Sequence, residues 1–273
     1  MSYAALMVHV DVDAQLGSRV GIAADLAERF RAHLIGIAGW APMSVFLAEE
    51  ARNAPTPPEA HLQDMKTLLD QKGDKFLAAV GKLKGRAEWR SGLDFPTEFV
   101  AREARAADLI IIGNERENQD PFRALDPGSF LLKAGRPVLV VPKRVASFSP
   151  RHVAIAWKDV REARRAVLDA LPFLQRAETV MIVEMVESGS DQSFGGVKDV
   201  GAYLARHGVK TVAERLRPAE VTAANSLLRV IEDENIDLLV TGAYGHSRLG
   251  EWAFGGVTRD LLLESPVCCL FSH

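Results

Sequence analysis

Short runs of apolar residues alternate along the chain with longer segments whose apolar positions recur every three or four residues. The first run spans residues 6–10, and Leu16, Val20, Ala23, Ala27 and Phe30 then follow at spacings of 4, 3, 4 and 3. This spacing places the five side chains on one face of a helix. Short continuous apolar runs, by contrast, indicate strands that are buried on both faces, as in a parallel sheet. The pattern therefore predicts alternating strands and helices.

The two halves of the chain repeat this order of elements. The first half is predicted to contain strands at residues 6–10, 34–38, 87–90, 109–112 and 137–141, with helices at 16–30, 62–80 and from about 97. The second half is predicted to contain strands at 153–157, 180–186, 211–216, 238–241 and 266–270, with helices at 163–174, 197–206 and 221–231. A further helix is expected before the last strand of each half.

An internal repeat accompanies this pattern. Residues 108–113 read Asp-Leu-Ile-Ile-Ile-Gly and residues 237–242 read Asp-Leu-Leu-Val-Thr-Gly, at an offset of 129. The same offset carries Ser129 onto Thr258 without a gap. The chain therefore contains a tandem duplication of a whole unit.

The repeat predicts two domains, residues 1–146 and 147–273, with a linker within 143–150. A length of 273 residues agrees with two domains. At the start of the halves the offset is 148, whereas further along it is 129. The first half therefore carries 19 extra residues, the difference between the two offsets, which we place within 41–60. Four prolines in that stretch indicate a loop or a broken helix. Each half is thus predicted to be an α/β domain with a doubly wound, mostly parallel sheet of five strands, which binds ligands at the carboxyl ends of its strands.

Composition excludes several classes of protein. A net charge of −3 with 25% charged residues is ordinary for a globular protein and argues against a nucleic-acid partner. The only cysteines, Cys268 and Cys269, are adjacent and therefore cannot supply a disulfide framework, which favours a reducing compartment. Neither an apolar stretch of about 20 residues nor a basic signal-peptide start is present, so we expect a cytoplasmic protein with no membrane partner.

The strongest local signal follows the fourth predicted strand of the second half. Gly242 and Gly245 would let the chain turn and let backbone N–H groups approach an anion, while Gly255 and Gly256 precede the last helix. The amides and the dipole of that helix N-terminus would point at the same place, where Thr258 adds a hydroxyl. The pattern is typical of a phosphate cradle, and equally of glycines that serve only tight turns and helix packing.

With this motif the chain resembles the universal stress proteins, in the tandem form with two such domains. The family motif is Gly-x2-Gly-x9-Gly followed by Ser or Thr, and Gly242, Gly245 and Gly255 have this spacing. The resemblance extends over the whole chain through the strand order of both halves. It implies the adenine nucleotide alpha hydrolase-like fold and an ATP site in the second half, with Mg²⁺ as a companion of the nucleotide. The site residues that it implies are Ala156, Lys158, Met185, Gly242, Gly245, His246, Ser247, Arg248, Gly255, Gly256, Val257 and Thr258.

Two positions of this site depart from the family pattern. Gly256 stands where the family has Ser, which removes a hydroxyl and keeps the amide, and Lys158 stands where ATP-binding members have an acidic residue. Lys158 is expected either to pair with a phosphate or to be a solvated surface lysine. His246 lies beside Ser247 and Arg248 without an acidic residue to orient it, so we expect it to cap the loop or contact a phosphate rather than to act in catalysis.

The first half departs further from the motif. Arg116 occupies the place of Gly245, and Asp126 opens a segment Asp-Pro-Gly-Ser in place of Gly-Gly-Val-Thr. Acidic side chains in this segment would repel phosphates, so we predict that the first half does not bind ATP. Asp11, after the first strand, still matches the acidic position of the family, which leaves a different ligand open.

The resemblance implies a cytoplasmic stress-response protein that binds ATP or another adenine nucleotide and acts through its conformation or a protein partner. An interaction scaffold with vestigial sites is the alternative. A slow ATPase comes last, because the motif offers no clear base or Mg²⁺-ligating carboxylate. No histidine or cysteine spacing predicts a metal site. The family likeness also implies that strands 137–141 and 266–270 pair across a pseudo-twofold axis as an intramolecular pseudo-dimer, and a further homodimer stays open.

Overall fold

The computed structural model describes residues 2–13, 15–42, 59–114, 120–186, 195–210, 212–218, 222–244 and 256–273. The chain divides into two compact units, of which the first is Tyr3–Arg136 and the second contains Pro137–His273. The extra residues that the sequence places within 41–60 fall mostly outside the described part.

The first unit is a parallel sheet with helices between its strands. Its strands are β1 (Ala5–His9), β2 (His33–Gly39), β3 (Ala87–Gly92) and β4 (Leu109–Gly113), in the order β3-β2-β1-β4. Its described helices are α1 (Ser18–Phe30), α2 (Glu59–Ala79), α3 (Pro96–Glu103) and α4 (Pro127–Lys133). Nearly every side chain of β1 and β4 is buried, which is why these strands read as continuous apolar runs.

The described residues of the second unit form six strands. They are β5 (Val138–Val141), β6 (His152–Trp157), β7 (Thr179–Val186), β8 (Val212–Pro218), β9 (Leu238–Gly242) and β10 (Cys268–Ser272), in the order β5-β10-β9-β6-β7-β8. The described helices are α5 (Arg161–Leu174), α6 (Gly195–Arg206), α7 (Ala223–Asp233) and α8 (Gly256–Glu264). The predicted α/β fold with mostly parallel strands is confirmed.

The exception to parallel pairing is β5, which runs antiparallel to β10. Val140 lies opposite Cys269, and Val138 lies opposite Phe271. The pairing expected for the last strands of the two halves is therefore observed. It also explains why β5 groups with the second unit, so that the units separate at Pro137. The boundary predicted at 146–147 rests on the sequence repeat and stays a prediction.

Several predicted element bounds differ from the structure by one to three residues, among them the starts of the last strand and of the first helix. The last strand begins at Cys268 instead of residue 266 because the Ser265 hydroxyl donates to the carbonyl of Val267 (2.9 Å) and accepts from its N–H (3.3 Å), which holds these residues in a turn. The first helix begins at Ser18, so Leu16 lies outside it although its spacing continues the apolar face.

The repeated aspartate of the duplicated run has the same structural task in both units. Asp108 accepts hydrogen bonds from the N–H groups of Ala4 (2.7 Å) and Ala5 (3.0 Å), through the same carboxylate oxygen. Asp237 likewise accepts from Arg151 and His152, both at 2.9 Å. Each carboxylate thereby ties the strand that follows it to the start of the neighbouring strand. The recurrence of this aspartate in both halves is thus explained by its hydrogen bonds within the sheet and needs no role in ligand binding.

The described residues give no sign of a membrane segment or a metal centre. None of their helices is both long and apolar enough to cross a bilayer, and none of their His, Cys, Asp and Glu side chains form a group of three that could hold a metal ion. Cys268 and Cys269 are free and buried in β10, and burial raises the pKa of the Cys269 thiol to about 12. Both thiols therefore stay protonated and serve as packing groups.

Candidate functional site

The carboxyl ends of β6 and β9 form the switch point of the second unit. The two strands are parallel neighbours, with Ala156 of β6 opposite Thr241 of β9. They end at the same edge of the sheet, where β6 leads into α5 and β9 precedes α8. Ligands of doubly wound sheets bind at such an edge, between the loops that follow adjacent strands.

Gly242, the first glycine of the motif, is required by helix packing. A Cβ on this residue would lie 2.7 Å from the amide nitrogen of Ala163 and 2.8 Å from the Cβ of Glu162, both in the first turn of α5. No side chain fits in this space. Of the two explanations that the sequence leaves open for this glycine, close packing is therefore the one that the structure supports.

The backbone that follows Gly242 is anchored within the protein. The Ala243 N–H donates to the carbonyl of Ser272 (2.8 Å), and the Tyr244 N–H donates to the hydroxyl of Thr258 (3.3 Å). Tyr244 has a φ of 56°, a left-handed conformation that is uncommon for residues other than glycine. His273 adds a hydrogen bond from its ring Nδ1 to the Ala243 carbonyl (3.1 Å). The first two amides after β9 are thus engaged by the protein, and a ligand would have to use amides further along.

Thr258 joins the two ends of the motif. It is 5% exposed, and its oxygen accepts the Tyr244 amide, so the start of α8 is tied to the end of β9. Its hydroxyl hydrogen can still donate to a ligand. The motif positions between these two ends, Gly245, His246, Ser247, Arg248 and Gly255, lie outside the described residues.

The N-terminus of α8 offers the donors that a phosphate requires. The first turn of a helix has N–H groups without intrahelical partners, and the dipole concentrates positive potential there. Gly256 begins the helix and is exposed, and no described atom lies within 4 Å of the position that its Cβ would occupy. Val257, the next predicted site residue, is half-buried.

Residues from β6 and β7 complete the described part of the edge. Ala156 lies between Val183 and Thr241, and Met185 is half-buried near the end of β7. Lys158 is exposed, directly after β6. Asp159 follows it, and its carboxylate accepts two hydrogen bonds from Arg164, at 3.1 and 2.7 Å.

Two acidic side chains at this edge were not found by sequence reasoning. Glu184 lies opposite Trp157 in the β6–β7 pair; burial raises its pKa, and the charge of Asp159 raises that pKa further. Glu162 is 4% exposed in the first turn of α5. Burial is the largest single influence and acts to raise its pKa, but hydrogen bonds from Arg161 and from its own backbone, together with the charges of Arg161 and His273, lower that pKa. The signal for Glu184 was present, since it is a charged residue within an otherwise apolar predicted strand.

The family model described as Universal stress protein family matches residues 150–272. The second half of the chain therefore matches this family. A solved universal stress protein from Archaeoglobus fulgidus DSM 4304 aligns with 98% of this chain and 95% of its own, at a TM-score of 0.71 and 12% identity. A solved protein of unknown function from Pseudomonas aeruginosa PAO1 aligns with 99% of this chain and 92% of its own, at a TM-score of 0.58 and 15% identity. At these identities the likeness establishes the fold. No curated protein matches the sequence at a significant level.

The first unit caps the corresponding helix with its own carboxylate. Asp126 stands immediately before α4 and accepts the N–H of Ser129 at 2.8 Å, while Pro127 occupies the first helical position. The N–H of Asp126 in turn donates to the hydroxyl of Thr97 (3.0 Å). An internal anion therefore already neutralises the helix N-terminus that a phosphate would need.

Asp11, the acidic residue that the family pattern singled out, is also engaged. Its carboxylate accepts a hydrogen bond from Arg19 and lies 3.5 Å from Nδ1 of His9. Burial acts to raise the pKa of Asp11, but His9 and Arg19 outweigh it and lower that pKa. Burial lowers the pKa of His9 itself to about 4, so His9 is neutral at pH 7. Asp11 is thus a charged group in a built ion cluster.

Proposed function

We propose that the second unit binds ATP or another adenine nucleotide at the carboxyl ends of β6 and β9, with the phosphates at the N-terminus of α8. One contrast carries the proposal. In the first unit the Asp126 carboxylate fills the N-terminus of α4, whereas in the second unit the corresponding helix begins at exposed Gly256, and no atom of the described residues lies within 4 Å of a Cβ placed there. Free N–H donors and the helix dipole suit a phosphate there.

Charge distribution gives the proposed ligand an orientation. Glu184 and Asp159 lie toward β7, and their negative charge would repel phosphates and accept hydrogen bonds from hydroxyl or amino groups. The N-terminus of α8 is tied to the end of β9 by the hydrogen bond from Tyr244 to Thr258, and β9 lies on the opposite side of β6 from β7. A nucleotide that places its ribose and base toward the two carboxylates and its phosphates toward Gly256 would satisfy both ends.

An interaction scaffold with vestigial sites is the second candidate, and specific contacts favour it. Gly242 is explained by packing against α5, and the Ala243 and Tyr244 amides already donate to the protein. Asp159, which would have to replace the acidic residue missing at Lys158, is paired with Arg164. In this candidate the protein would act through surfaces of the folded chain without nucleotide.

The proposed cellular setting is the cytoplasm, where the protein would take part in a stress response through nucleotide-dependent conformation or a protein partner. Two free, buried thiols suit a reducing compartment. The match of residues 150–272 to the universal stress protein family supports the stress-response assignment.

The test measures nucleotide binding by the full chain. Acid-denatured protein is analysed for released adenine nucleotides by chromatography, and titration calorimetry follows ATP, ADP and AMP. We expect one ATP site per chain, because the first unit caps its own helix. A chain that releases no adenine nucleotide and shows no heat and no thermal shift with ATP would support the scaffold instead.

Three variants at Gly256 locate the phosphates. Gly256→Asp places a carboxylate at the start of α8, where an added Cβ has no described atom within 4 Å, and we expect it to weaken ATP binding at least about tenfold by charge repulsion. Gly256→Asn is the matched neutral control and should leave the affinity within about threefold. Gly256→Ser restores the family hydroxyl and should strengthen binding by about fivefold, the value of one added hydrogen bond. Equal affinities for the Asp and Asn variants would place the phosphates elsewhere.

A further inference from the structure

The switch point of the first unit is crossed by a segment of the protein itself. β1 and β4 are parallel neighbours, so a ligand would bind between the loops that follow them. The loop after β1 carries Asp13 and the loop after β4 carries Arg123, and their side chains form an ion pair of 2.7 Å. The two loops are therefore joined across the place where a ligand would enter.

Arg123 also contacts the residue that follows β2, the strand on the other side of β1. Its guanidinium carbon lies 4.4 Å from the ring centre of Trp40, which directly follows β2. The N–H of Ala41 donates to the carbonyl of Phe122 at 2.8 Å. The residue before Arg123 is therefore hydrogen-bonded to the segment that follows β2. A planar guanidinium between an indole face and a carboxylate is the arrangement in which a protein recognises a guanidinium ligand.

The segment that presents Arg123 is fixed by its own contacts. Asp120 accepts the N–H of Phe122 through its side chain (3.0 Å) and the N–H of Arg123 through its carbonyl (3.1 Å). The ring of Phe122 packs against that of Phe95 at a centroid distance of 5.4 Å. The arginine is therefore held in place by a turn and an aromatic contact.

The second unit does not carry this ion pair. At the offset of 148 that applies to the start of the halves, Asp13 corresponds to Arg161. At the offset of 129 that applies further along, Arg123 corresponds to Trp252. The arrangement thus belongs to the unit whose helix N-terminus is also capped internally.

We propose that Trp40 and Asp13 form a guanidinium subsite that Arg123 fills from within the chain. We call the three residues the Arg123 latch. The latch closes the crevice of the first unit and stabilises the folded unit in the absence of a bound ligand. The proposal concerns the first unit alone and does not depend on nucleotide binding by the second.

Hydrogen exchange of the Ala41 amide tests the latch in the full chain. Arg123→Ala should raise the exchange rate of this amide about tenfold, the effect expected from losing a cation–π contact together with a partly exposed ion pair. The matched control is Arg102→Ala, which removes an arginine that also pairs with a carboxylate (Asp94, 2.8 Å) and faces a ring (Phe99, 5.4 Å) outside the crevice. The control should leave Ala41 exchange unchanged.

Rescue by a small guanidinium ion identifies the subsite. Methylguanidinium chloride at millimolar concentration should restore slow exchange of Ala41 in Arg123→Ala, whereas sodium chloride at equal ionic strength should not. Arg123→Lys keeps the charge but lacks the planar group, so it should show intermediate exchange even if the alanine variant fails to fold. Wild-type exchange in both variants, or equal effects of the two salts, would overturn the proposal.

Discussion

Replacement of Gly242 by alanine separates a packing role of this glycine from a role in ligand binding. The added Cβ would lie 2.7 Å from the Ala163 nitrogen, 2.7 Å from the Glu162 carbonyl carbon and 2.8 Å from the Glu162 Cβ. Non-bonded carbon atoms prefer separations of about 3.5–4.0 Å. Two of these three neighbours are backbone atoms, so no change of rotamer relieves the contact, and α5 would have to move by nearly 1 Å.

The expected loss follows from this displacement. Overpacking of a filled interior typically costs about 1–3 kcal/mol, and the reduced freedom of the unfolded chain on changing glycine to alanine recovers about 0.4–1 kcal/mol. We therefore expect the free energy of unfolding of the second unit to fall by about 1–2 kcal/mol. For a unit of this size the melting temperature should drop by roughly 3–5 °C per kcal/mol.

Thermal unfolding followed by pulse proteolysis measures this loss, because the protected fragments show which unit has opened. Gly256→Ala is the matched control, since no described atom lies within 4 Å of the added Cβ and the stability should stay within about 0.5 kcal/mol of the wild type. If Gly242→Ala were as stable as Gly256→Ala, the contact with α5 would not be what requires a glycine at this position.

Two further predictions concern the aspartate of the repeat and a buried histidine. Asp237→Ala should lower the free energy of unfolding by about 1–3 kcal/mol in urea denaturation, because the N–H groups of Arg151 and His152 lose their acceptor. Asp237→Asn keeps one acceptor oxygen and should lose less; equal losses would show that these hydrogen bonds are not responsible. Stability should also fall as the pH is lowered from about 6.5 to 4, because burial lowers the pKa of His9 from 6.5 to about 4 and the unfolded chain therefore binds the proton first. The His9 contribution should reach ~3 kcal/mol at the acid end, and His9→Gln should flatten the profile over this window; an unchanged profile would contradict the assignment.

The strands were predictable because of how deeply they are buried. Nearly every residue of β4 and β9 is buried, so most positions must be apolar and a continuous run results. Element ends were less predictable, because they depend on single hydrogen bonds. The turn that delays β10 is made by the Ser265 hydroxyl, and apolar spacing carries no information about such a contact.

The position of the candidate site in the fold could be predicted, whereas its contacts could not; the site itself stays a prediction. The order of elements puts the ends of β6 and β9 together, and the motif follows β9 as expected. The reason for Gly242 could not be read from the sequence, because it depends on how closely α5 approaches. The role of Asp126 could have been found, since Asp followed by Pro is a signature of a helix start, and its carboxylate does cap α4.

The membership of β5 in the second unit determines how that unit can be studied alone. A fragment cut at the predicted boundary, residue 147, would lack Val138–Val141 and leave the backbone N–H and C=O groups on one side of β10 without partners. Unpaired strands of apolar sequence recruit other chains, so this fragment should aggregate. A fragment that starts before Pro137 carries its own covering strand, and stability measurements on the isolated unit should use that longer piece.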